Sequence, residues 1–226
     1  MEKIKTKQKK IKLVDWITMS DDDVFSIFAG LDDVAIPDTE WNKFIYRKGR
    51  NKRVILKTHI SCFSPNVKKS SVISSSENTI YSEEPSKGIC ATGRTGCSIL
   101  WNMLHLDPSI IVSMNRNGHS FFSIDYKYQE IFEEIYEHDI CLDFDRPGWD
   151  EIILHKKDGE QEDVFGKLRD FYNSFAISYG VKYDKINYAR IPTGIGSANT
   201  ENETVFLDDW CRTLNLTKQL VKTNAV

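Results

Sequence analysis

The chain has 226 residues, 40% of them hydrophobic and 28% charged, with a net charge of −3. That length and composition suit one sizeable globular domain, with or without a small attachment, and exclude a uniformly basic nucleic-acid binder. No stretch reaches the roughly 18 apolar residues that span a bilayer, and the lysine-rich start lacks the apolar run of a secretory signal.

The first twelve residues form a basic tail. Ser20 followed by Asp21, Asp22 and Asp23 predicts a capped helix whose apolar face is Val24, Phe25, Ile27, Phe28 and Leu31. Phe44–Tyr46 and Val54–Leu56 read as two strands, joined by the basic loop Arg47–Arg53. Residues 61–88 are rich in Ser, Asn, Lys and Glu, which predicts a linker or mobile loop. A helix is expected over 98–104, a strand over 109–113, and a second helix over 125–137, where Tyr128, Ile131, Phe132, Ile135 and Tyr136 recur at helical spacing. A strand over 139–145 follows, then a helix from Val164 to Tyr179 with Gly180 to end it. Strands over 185–191 and 204–208 complete the chain. This order predicts an α/β or α+β fold, with a mixed β-sheet flanked by helices and a small basic N-terminal region. Three parts are expected: 1–60, a linker at 61–88, and an α/β domain over 89–226.

Ile140-Cys-Leu-Asp-Phe-Asp145 carries the best candidate for chemistry. Alternation along a strand puts Asp143 and Asp145 on one face. Two carboxylates so close repel each other, and a divalent ion, Mg²⁺ or Mn²⁺, relieves that repulsion. The alternative is a solvated strand edge. Asp208, after Val205-Phe-Leu, is a candidate third carboxylate, or else the cap of a helix starting near Trp210.

The basic stretch Arg47, Lys48, Arg50, Lys52 and Arg53, with Phe44 and Tyr46 nearby, could grip a phosphate backbone, or could be a solvated hairpin. Gly88-Ile-Cys-Ala-Thr-Gly93-Arg94-Thr95 has phosphate-loop spacing but no apolar strand before it, so a turn leading into a helix is the expected reading. His105 and His119 are isolated. The five cysteines are scattered and odd in number, so reduced thiols and an intracellular location, cytoplasmic or nuclear rather than secreted, are expected.

An apolar strand ending in Asp-x-Asp, then an amphipathic helix, a Tyr-Gly turn and another strand resembles the catalytic core of archaeo-eukaryotic primases, in the primase-polymerase branch. The likeness covers residues 125–214, including Val205-Phe-Leu-Asp-Asp-Trp-Cys-Arg212. It implies metal-dependent nucleotidyl transfer in primer synthesis, with Asp143, Asp145 and Asp208 as catalytic metal ligands and with DNA or RNA and nucleotides as partners. The family's Ser-x-His motif is missing; Ser197 stands in its region with Asn199 in place of the histidine. The alternatives are a non-catalytic nucleic-acid-binding or protein-interaction module using 43–57, and a phosphatase of the haloacid-dehalogenase type.

Overall fold

Four apolar segments lie side by side in the same direction and form the centre of the molecule. They are β3 (Asn51–His59), β8 (Pro108–Ser113), β9 (Ile140–Arg146) and β12 (Asn187–Pro192). In this computed structural model the described residues are 10–38, 43–61, 68–84, 86–114, 128–146, 148, 153–155, 161–163, 187–198 and 200–223. The expected helix over 164–179 lies outside them.

Parallel pairing gives the order β8-β3-β9-β12. Antiparallel strands extend it on both sides: β1 (Val34–Ala35) and β2 (Phe44–Arg47) beyond β8, and β10 (Ile153–His155) and β11 (Gln161–Asp163) beyond β12. The mixed sheet flanked by helices is therefore present.

The segment expected to be a linker contains β4 (Lys68–Lys69), β5 (Ile73–Ser75), β6 (Thr79–Ser82) and β7 (Lys87–Gly88). β5 and β6 join β13 (Ile195–Gly196) and β14 (Thr204–Phe206) in a four-stranded sheet, and β4 pairs with β7. Hydroxyl side chains took the place of apolar alternation here. Glu84, for example, accepts hydrogen bonds from both the backbone and the hydroxyl of Ser71. These side-chain bonds hold short strands that periodicity does not reveal.

One face of the large sheet packs on α1 (Leu13–Thr18), α2 (Asp21–Ala29), α3 (Thr92–Met103) and α5 (Leu207–Thr223). Ser20 caps α2 as expected, its Oγ accepting from the Asp23 amide at 3.1 Å. The opposite face carries α4 (Gln129–Tyr136), which buries Phe132 and Ile135 against Phe44, Tyr46, Ile55, Ile111 and Cys141. So α3 links β3 to β8 on one face, while α4 links β8 to β9 on the other. The crossover changes face between β3 and β9, the place where open α/β sheets bind ligands at the carboxyl ends of their strands.

Helix α3 begins earlier than its apolar residues indicate, because two glycines let it press on the sheet. A Cβ on Gly93 would stand 2.2 Å from the His59 carbonyl oxygen, and one on Gly96 would stand 2.1 Å from Thr58 Oγ1. At its start, buried Glu203 accepts from the Ala91 amide at 3.2 Å and the Thr92 hydroxyl at 2.9 Å. A protein carboxylate thus takes the place a phosphate would occupy at this helix end. Arg94 turns the other way, to the Ser20 carbonyl and the Asp21 carboxylate.

His138, just past α4, binds that helix to β8. Its Nδ1 lies 3.1 Å from the carbonyl oxygens of Glu134 and Ile135, and its Nε2 lies 2.9 Å from Ser109 Oγ. Cys97, Cys141 and Cys211 are free thiols, but Cys90 is disulfide-bonded, which corrects the expectation of reduced thiols throughout. Among the described residues, no helix is long and apolar enough to cross a membrane.

Two outcomes follow from this packing. Gly96→Ala forces α3 off the strands and lowers stability by at least about 1–3 kcal/mol in urea denaturation. Burial holds the His138 imidazole below its usual 6.5. Its neutral form therefore contributes stability that is present above pH 6.5 and is lost as pH falls through the lower folded value. Denaturation between pH 7.5 and 5 should show this slope in the wild type and a shallower one in His138→Gln.

Candidate functional site at the strand switch point

Lys57, Asp143 and Arg190 occupy matched positions on three neighbouring parallel strands. Lys57 pairs in register with Asp143, and Asp143 with Arg190. Strand alternation places all three on the α4 face, beyond the apolar cluster and toward the carboxyl ends. They are 3%, 0% and 4% exposed. Lys57 Nζ donates to Asp143 Oδ2 at 2.7 Å. Charges this deep persist only when paired, because the interior solvates them poorly.

This geometry revises the picture of an open carboxylate pair. Leu142 and Phe144 join the main core as alternation required, but the other face of β9 is covered too: Cys141 is buried under α4, and Asp143 is fully buried. Asp145 lies in β9, and its side chain is outside the described residues. Asp208 lies in the first turn of α5, not in a strand. It is exposed, and its amide donates to Asn78 Oδ1 at 3.1 Å. Its place is the corner where the four-stranded sheet meets α5.

Among the described residues, no group of three or more His, Cys, Asp or Glu side chains is arranged to hold a metal ion. At Asp143 the Lys57 ammonium supplies the positive charge that a cation would bring. The described donors do not fit a resident Mg²⁺ or Mn²⁺ there.

The basic segment is matched by acids distant in sequence. Arg47 and Arg50 both reach Asp107 at 2.7 Å, Arg53 reaches Asp139 at 2.7 Å, and Lys48 pairs with Glu134. The two arginines hold the Asp107 carboxyl below its usual range despite partial burial. The Lys52 side chain lies outside the described residues. A phosphate backbone would have to compete with these ion pairs.

No protein-family model and no curated protein matches the chain. Its fold does match solved structures. The aminopeptidase PepT of Bacillus cereus aligns with a TM-score of 0.60 at 9% identity, over 95% of this chain and 97% of that chain. A tripeptidase of Staphylococcus aureus aligns with a TM-score of 0.55 at 9% identity, over 94% of this chain and 96% of that chain. The chain therefore has an α/β fold shared with these two peptidases.

This likeness overturns the resemblance to primases, and with it the assignment to primer synthesis, nucleotidyl transfer and DNA replication. The physical reason is visible at Asp143. A strand ending in Asp-x-Asp is a short pattern that a buried ion pair also produces. Here the first aspartate answers a lysine 86 residues earlier in the chain.

The two partners depend on each other. Lys57→Met or Asp143→Leu alone strands a buried charge and costs about 3–5 kcal/mol, whereas the double replacement costs less than the sum of the two single changes. Chemical denaturation of the three variants measures this.

Proposed function

We propose that the chain is a peptidase-type hydrolase that takes the free carboxylate of a short peptide at the switch point between β3 and β9. The carrying observation is the row Lys57, Asp143 and Arg190 on adjacent parallel strands near that switch point. The fold shared with an aminopeptidase and a tripeptidase supports this reading of the substrate class.

In this reading Lys57 and Arg190, buried near the carboxyl ends of their strands, supply the positive charge that a carboxylate requires. Charge-assisted hydrogen bonds to such an anion are about twice as strong as neutral ones. Asp143 keeps the lysine ammonium fixed in position between bound and free states. Asp145, two residues farther along β9, is the proposed second acid of the site. No step is assigned to a metal, because the described donors at Asp143 do not form a metal site.

The test uses the full chain with a panel of di- and tripeptides, each with a free or an amidated carboxyl end, with and without Mn²⁺. Cleavage is expected for the free forms. Arg190→Ala should raise KM for them by about 10- to 100-fold, matching the 1.5–3 kcal/mol of a hydrogen bond to a charged group, with little effect on the amidated forms. Absence of cleavage for every peptide in a folded wild-type sample, with and without Mn²⁺, overturns the proposal.

A further inference from the structure

A second constellation lies at the opposite, amino end of the parallel strands and does not depend on the switch-point reading. A cavity of about 90 Å³ is lined by Lys48, Gly49, Ser109, Glu134, Glu137 and His138. Lys48 is more than half exposed and marks its mouth.

The hydrogen bonds around Ser109 are directional. Only an N–H can satisfy a carbonyl oxygen, so the contacts of His138 Nδ1 with the Glu134 and Ile135 carbonyls place the ring proton on Nδ1. Nε2 is then a lone-pair acceptor, 2.9 Å from Ser109 Oγ. The Gly49 amide donates to the same Oγ at 3.0 Å, and because Nε2 can only accept, the Ser109 hydroxyl hydrogen points at it. Both side chains are more than nine-tenths buried, and their rotamers are fixed by packing between α4 and β8. A nucleophile bonded to a base, with the base oriented by a third group, is the arrangement that activates serine.

We propose that Ser109 and His138 form a second reactive site that accepts an acyl group from a small uncharged carboxylic ester. Ser109 Oγ attacks the ester carbonyl carbon while His138 Nε2 takes the hydroxyl proton. The bond from the acyl carbon to the alkoxy oxygen then breaks, and the alcohol leaves with that proton. Water, giving a proton to the same Nε2, attacks the acyl-serine; the carboxylic acid is released and the Ser109 hydroxyl is restored. The cavity size limits the acyl group to a few heavy atoms, and the walls formed by Glu134 and Glu137 disfavour anionic esters.

The groups facing His138 are Glu134 and Glu137 on and just after α4, Ser109 on β8, and Lys48 in the turn after β2. Tyr46 is buried beside Glu134, and burial pushes its ionisation well above the usual value, so its hydroxyl stays neutral. Burial likewise favours neutral His138, the form that acts as a base.

The experiment incubates the full chain with p-nitrophenyl acetate and, separately, with a small fluorophosphonate, followed by intact-mass measurement and peptide mapping. Turnover of p-nitrophenyl acetate and one fluorophosphonate adduct per chain on Ser109 are expected, both absent in Ser109→Ala. His138→Gln should slow labelling by roughly 10²–10⁴-fold. The wild-type rate should fall only below pH 6.5, which a merely structural Ser109–His138 bond would not produce. A folded wild type that takes no adduct, or one whose adduct maps to Lys48, Tyr46 or another residue, overturns the proposal.

Discussion

The Lys57–Asp143 pair fixes how the two central strands meet. Both side chains are almost wholly removed from water, and each is tolerable there mainly because the other is 2.7 Å away. A slip of one residue between β3 and β9 would turn one charge into the opposite core and leave the other unanswered. Hydrophobic pairing alone discriminates weakly here, since both strands are apolar on both faces. The ion pair supplies the missing register information. The switch point, the row that includes Arg190, and the seating of α3 and α4 all inherit that register.

Helix α3 depends on it as well. Its glycines sit over Thr58, His59 and the Phe144 carbonyl, which belong to the same two strands. Thr58 Oγ1 lies 3.3 Å from the carbonyl oxygens of both Gly93 and Phe144 and bridges helix and sheet. Removing the side chain at positions 93 and 96 costs helix propensity, about 1 kcal/mol each relative to alanine. Close packing against polar backbone offsets that loss. The result is a tight wedge of helix and strand ends behind the candidate site.

Much of this fold was legible wherever a local pattern carried it. The Ser20 cap, the apolar cores of β2, β3 and β8, the α4 periodicity and the apolar face of β9 all follow from neighbouring residues. What escaped depended on partners remote in sequence. The basic stretch at 47–53 reads as unopposed charge until Asp107, Glu134 and Asp139 are brought to it by the fold. Asp143 stands out from the alternation of its own strand, but Lys57 is the residue that defines its surroundings, and nothing local links them. Asp208 reads equally well as a strand end or a helix start, and the backbone chose the helix. The early start of α3 was hidden because glycine marks a turn more often than a close approach. Ser109 and His138 are ordinary residues 29 positions apart, so only the fold brings them together.

The carboxylate that closes the start of α3 also orders events in time. Glu203 lies 112 residues after Ala91, whose amide it accepts. A growing chain emerges from its amino end, so α3 can form and rest on β3 long before that acid exists. Until residue 203 has been made, the Ala91 amide lacks the carboxylate that accepts from it in the folded protein. The four-stranded sheet containing β14 likewise cannot be completed before residues 204–206 are made. Contacts of such long sequence separation slow the final step of folding, and truncation before Glu203 would leave the helix without its cap.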